Sequence, residues 1–125
     1  MTARRLALAL GAIEIITGLL QGAVPGWFYD EVSPILERND YLMRDVATIH
    51  LAFGLALFAL RDRPAWRLGV LICAAAQYAL HALNHLFYVD DANPAWHGVF
   101  DFLYVGAFAL IYAWLARRTE REGLT

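Results

Sequence analysis

The sequence has one cysteine, Cys73, and no lysine. A lone thiol excludes an intramolecular disulfide, Cys-x-x-Cys redox chemistry and any zinc or iron–sulfur centre built on several cysteines. All ten cationic side chains are arginines, against twelve acidic ones, so the net charge is −2. No basic face is left over for nucleic acid. Charged residues are scarce at 18%, below the roughly 25% usual in soluble domains. The four prolines stand at positions 25, 34, 64 and 94. The long stretches between them lack the Gly/Pro-broken helices of many transporters. There is no internal repeat and no low-complexity tract.

Apolar side chains are abundant. They make up 60% of 125 residues, with a mean hydropathy of +0.46. A single domain of this size has too little interior to bury them. The solvent that accepts them is a lipid bilayer, whose core of about 30 Å asks for roughly 20 mostly apolar residues per helix. Four segments meet this, at 6–24, 41–60, 66–89 and 95–116. The expected fold is therefore all-α, a four-transmembrane-helix bundle in one integral membrane domain with short loops. The ends follow ordinary chemistry. Asp40 is the expected N-cap of the second span, and Pro64 opens the third. Asn93 caps the fourth, with Pro94 as its first residue, and Ser33-Pro34 starts a short helix in the first loop, around Ile35 to Arg38.

Arginine counts set the orientation. Arg4, Arg5, Arg61, Arg63, Arg67, Arg117, Arg118 and Arg121 fall on one side, and only Arg38 and Arg44 on the other. The positive-inside rule then puts both termini in the cytoplasm, in a bacterial cytoplasmic (inner) membrane. Trp27 and Trp96 fall at the outer boundary and Trp66 and Trp114 at the inner one, as interfacial tryptophans should. Arg4-Arg5 followed by an apolar run resembles a signal peptide. Glu14 interrupts that run and no clean Ala-x-Ala site follows, so a retained first helix is expected.

Ionisable groups inside spans cost about 2.5–3.5 kcal/mol each on insertion scales, which makes them functional candidates. Glu14, Thr17 and Gln21 share one face of the first span. His50 lies on the second, with Gly54 on the same face. Gln77, His81, Asn84, His85 and Tyr88 stripe the third. His97, Asp101, Tyr104, Phe108 and Tyr112 stripe the fourth. Lipid rejects such stripes, so they should face one another. At about 1.5 Å of rise per residue, all four histidines fall in the outer half and Glu14 lies near mid-membrane. The inner half reads as an apolar plug of Leu55, Leu57, Phe58, Leu71, Ile72, Leu110 and Ile111. The expectation is an outward-facing polar cavity lined by Glu14, Gln21, His50, Gln77, Asn84 and Asp101.

Several readings suit such a cavity: a metal, a haem, a small polar ligand, a proton-relay or small-substrate pathway, or plain packing. His81 and His85 have the i, i+4 spacing that lets two imidazoles bind one metal, with His50 as a third nitrogen and Glu14 or Asp101 as an oxygen ligand. Zinc, iron and copper all fit that donor set. Alternatively, His50 with His81 or His85 would hold a b-type haem. The plainer reading is interhelical glue, in which the polar groups satisfy one another. The protein would then be a structural or accessory subunit docking a membrane partner or a second copy of itself. An enzyme acting on a lipid or quinone with Glu14 or His50 as general base is a further option, though no nucleophile motif supports it. Gly11, Gly18, Gly54 and Gly106 read as close-packing positions, and His97 as an interfacial residue.

The four-span topology resembles the small bacterial four-helix membrane proteins grouped as DoxX-like, most of them without an assigned role. The resemblance is carried by the segments Arg44-Asp45-Val46-Ala47-Thr48-Ile49-His50-Leu51 and His81-Ala82-Leu83-Asn84-His85-Leu86 and covers most of the chain. It implies a membrane bundle and, for some members, membership of quinone-linked oxidoreductases. No catalytic motif of the group matches residue by residue, so it assigns no site residue.

Overall fold

A computed structural model of the chain describes residues 2–34 and 36–123. The described residues are helical, with no strand. Helix α1 spans Ala3–Ala23, α2 Pro25–Glu31, α3 Asp40–Ala59, α4 Pro64–Phe87 and α5 Trp96–Gly123, with a 3₁₀ turn at Val89–Asp91 between the last two. Helices α1, α3, α4 and α5 are each long and apolar enough to cross a membrane. Large apolar side chains such as Leu55, Leu80, Leu103 and Leu110 are exposed on the outside of the bundle. In water, so much exposed apolar surface would drive association. Against lipid it is the expected exterior, and Trp66, Trp96 and Trp114 lie on it.

The four long helices form two tight pairs, α1 with α3 and α4 with α5, and the pairs touch each other more lightly. Glycine sets the first pair. A Cβ on Gly54 would sit 2.8 Å from the Gly11 carbonyl and 2.6 Å from Ile15, and a Cβ on Gly18 would sit 2.9 Å from the Ala47 carbonyl. The backbones meet there because nothing stands between them, the small-residue packing that membranes favour. Gly106 differs, since a Cβ there would make only ordinary contact with Ala82.

The end of the bundle that carries Ala3 and Gly123 is closed. Ala3, Ala7, Leu10, Leu57, Leu71, Ala74, Leu115 and Ala116 fill it. Of the plug residues read from the sequence, Leu57 and Leu71 are buried there, whereas Leu55, Phe58, Ile72, Leu110 and Ile111 point outward. Depth along a helix does not give the azimuth, and alanines do much of the filling. Helix α5 runs past the predicted end at 116. Glu122 receives Arg118 at 3.1 Å and the Ala3 N–H at 3.3 Å, which prolongs the helix and caps α1. Asp62, bonded by Arg61 and paired with Arg4 at 2.8 Å, is held below the ordinary aspartate range by these guanidinium contacts.

Other boundaries differ for local reasons. Asn39, not Asp40, caps α3, its side chain accepting from the N–H groups of Tyr41 and Leu42 at 3.1 Å. Helix α5 starts at Trp96 instead of Pro94, because Asn93 is held outside the helix by its N–H bond to the Pro34 carbonyl at 3.3 Å. The short helix of the first loop lies at Pro25–Glu31, opened by Pro25 at its first position. In the expected stretch, Ile35 lies outside the described residues and Leu36 to Arg38 are not helical. Leu36 there has φ 59°, which no helix accepts.

Gly54→Val should therefore lower unfolding stability by about 1–3 kcal/mol by forcing α1 and α3 apart. Gly69→Ala, with nothing within 4 Å of the added carbon, should leave stability equal or slightly higher. Thermal unfolding of the detergent-solubilised protein compares the two.

Candidate functional site

Each spanning helix brings a polar group to one point. Glu14 of α1 is 1% exposed. Its Oε1 accepts from the Tyr78 hydroxyl of α4 at 2.8 Å and from the Tyr112 hydroxyl of α5. Its Oε2 lies 2.7 Å from Nδ1 of His50 on α3, which donates when Nδ1 carries the proton. The Tyr78 hydroxyl is also 3.2 Å from that nitrogen. The Tyr78 ring stacks on Tyr112 and on Phe108, with centroids 5.4 Å apart in both cases. Isolated in a low-dielectric interior, a carboxylate would cost on the order of 20 kcal/mol in the Born limit, so it persists only where donors surround it. Here three donors from three other helices do so.

Above this knot, toward the α2 end, the two helix pairs diverge around a cavity of about 450 Å³. Gln21 of α1, His50 of α3, His81, Asn84 and His85 of α4, and Asp101 of α5 line it. Helix α2 and the loop after it close the top. Trp27 and Phe28 face the cavity from α2, and Ser33 donates to Asp101 Oδ2 at 2.8 Å. The cover is fastened at several further points. Tyr29 donates to the Leu36 carbonyl, and Arg44 reaches the Gly22 carbonyl at 3.4 Å. The Arg38 guanidinium lies against Gly26, where any Cβ would collide with it, and pairs with Asp40 at 2.6 Å.

The structure thus divides the residues singled out from the sequence. Gln21, His50, Asn84 and Asp101 line the cavity, joined by His81 and His85. Glu14 lies buried beneath it in the knot. Gln77 faces a separate shallow cleft between α3 and α4, which it shares with His50, Tyr78 and His81. The three imidazoles proposed for a metal are also divided. His50 is engaged by Glu14, while His81 and His85 face each other with their Nε2 atoms 3.1 Å apart and rings stacked at 4.7 Å. Among the described residues, no three His, Cys, Asp or Glu side chains converge as a metal site would require. Asp45 is exposed, and the carboxylate beside His50 is that of Glu14. His97 stacks on Trp96 at 3.8 Å, and its buried Nδ1 has no partner.

Sequence reasoning missed Tyr78. Its signal was present, because it lies three residues before His81 and seven before His85, on the same helical face. A second signal was chemical: no span carries an arginine near mid-membrane to match Glu14, so its donors had to be neutral hydroxyls or imidazoles.

Two buried polar side chains at the cavity have few partners. Gln21 is 5% exposed, and its Oε1 has no hydrogen bond, while Nε2 meets only the Met43 sulfur at 3.6 Å. Asp101, also 5% exposed, accepts from the Ser33 hydroxyl alone among the hydrogen bonds of the described residues. Polar groups this buried are normally satisfied by protein, water or ligand.

Removing the Glu14 carboxyl should be more damaging than removing any one donor. Glu14→Ala leaves Tyr112 without an acceptor and Tyr78 and His50 with only each other, and should cost about 3–5 kcal/mol, the range for breaking a buried polar network. Tyr78→Phe or Tyr112→Phe should cost about 0.6–1.7 kcal/mol each, the membrane hydrogen-bond range, because Oε1 keeps the other tyrosine. Unfolding titrations in detergent give the order, and equal losses for all three variants would contradict it.

Comparison with protein-family models, curated proteins and solved structures finds no match to this chain.

Proposed function

We propose that this protein is a small multi-pass membrane protein whose cavity binds a small amphipathic molecule entering from the outer leaflet or the outer surface. The observation that carries the reading is Gln21. Its side chain lines the cavity, and its carboxamide oxygen is buried with no protein partner. The cavity also has the size and mixed lining of small-molecule sites, mostly apolar and aromatic with a few convergent polar groups. The arginine asymmetry supports an orientation with both termini in the cytoplasm and α2 lying at the outer interface of a bacterial inner membrane. The DoxX-like resemblance agrees with such a bundle and adds no site chemistry.

The accessory-subunit reading draws on the Glu14 knot, which joins all four spans and is glue under either reading. It accounts for Glu14 and His50 but leaves the cavity and Gln21 without a role, so the ligand reading is preferred.

Two measurements test the proposal. Native mass spectrometry of the detergent-purified chain should show a bound small molecule. Val46→Phe, which narrows the cavity from its α3 wall, should release it. A wild-type chain that always flies as bare polypeptide would count against a ligand. For orientation, a C-terminal fluorescent-protein fusion in a bacterial host should glow and a C-terminal alkaline-phosphatase fusion should be inactive. The reverse pattern would invert the topology.

A further inference from the structure

Two of the buried groups that line the cavity are acceptors with few donors. Gln21 Oε1 is an acceptor without a donor, and Asp101 is a buried carboxylate with a single hydroxyl donor among the described residues. Both line the same space. Of the imidazoles that share it, His50 is bonded to Glu14 through Nδ1, and His81 and His85 to each other through Nε2. No arginine lines it, and the chain has no lysine. Its walls include the aromatic rings of Trp27, Phe28, Phe100 and Tyr104, whose faces carry the negative end of the ring quadrupole. The loops around the cavity end are acidic as well, with Asp30, Glu31, Asp90 and Asp91 exposed.

We propose that the cavity takes a small lipophilic amine in its protonated form. The ammonium group donates to Gln21 Oε1 and to Asp101, and the apolar body lies against the aromatic wall. An anion would meet the oxygen atoms of Gln21 and Asp101, with no arginine among the lining residues to offset them. A neutral alcohol would supply a donor but no charge opposite Asp101. This rests on the reading of the cavity as a ligand site and adds the charge and donor character of what enters it.

A matched set of probes separates the possibilities: phenylbutylamine, phenylbutanol and phenylbutyrate share one body and differ in the head group. Each is titrated into the full chain in detergent, against protein-free micelles, by calorimetry and by tryptophan fluorescence. The amine should bind saturably and about tenfold or more tighter than the alcohol, with the carboxylate weakest. Asp101→Asn should remove about tenfold of the amine affinity and lower that of the alcohol by clearly less. If the alcohol or the carboxylate binds as tightly as the amine, the amine assignment is overturned while the cavity stands as a ligand site. If none of the three saturates but a Val46→Phe-sensitive mass is still bound, the amine assignment again fails alone. If that mass is absent too, the ligand reading falls with it. The wild-type comparison needs no variant to fold.

Discussion

One carboxyl group organises this bundle. Glu14 is the only acidic residue deep in the first span, and it is shared by His50, Tyr78 and Tyr112 from the other three. Lipid provides no hydrogen bonds, so a buried acid must find every partner inside the protein. Satisfying it fixes the rotation of all four helices about their axes. Once His50 turns inward toward Glu14, Gly54 lies one turn further along α3 on the α1 seam, and the backbones close on Gly11 and Gly18. Once Tyr78 turns inward, His81 and His85 follow on the same face and line the space beyond.

The knot also separates two environments. On one side the helices are filled by alanine and leucine, and the two pairs close around Tyr112, Leu57 and Leu71. On the other, the pairs spread and α2 with its following loop forms a roof, pinned by Ser33 on Asp101 and by the Asn93–Pro34 backbone bond. The same polar stripes therefore serve two purposes, holding the helices where they are mutually satisfied and presenting hydrogen-bonding groups where they are not. Gln21 and Asp101 belong to the second set: Gln21 meets only the Met43 sulfur and Asp101 only the Ser33 hydroxyl.

Much of the site was legible because membrane chemistry is strict. Polar residues at helical spacing in an apolar run must face inward, so Gln21, His50, His81, Asn84, His85 and Asp101 were identifiable as lining without coordinates. Tyr78 was missed, and Gln77 lines a neighbouring cleft, because a stripe about 100° wide contains residues that point to different neighbours. The outward-facing plug residues have the same origin. A leucine in a span is equally at home against lipid or against another leucine, so composition carries no azimuth for it. The first-loop helix was misplaced because Ser33-Pro34 and Pro25 both signal a helix start. Only the first of these meets a left-handed residue, Leu36, soon after.

The amino-acid sequence by itself determined that the chain is helical, that four segments match a bilayer, and which side chains could not face lipid. Those conclusions follow from hydrophobicity, helical period and the cost of an unsatisfied polar group, all of them local properties. Tertiary structure alone decided which polar groups satisfy each other. It gave Glu14 two tyrosines as well as His50, turned His81 and His85 toward each other instead of toward a third histidine, and left Gln21 and Asp101 facing an open volume. Hydrogen-bond partnership depends on distances of a few tenths of an ångström between helices far apart in sequence. Those distances are set by glycine contacts and by the placement of the roof.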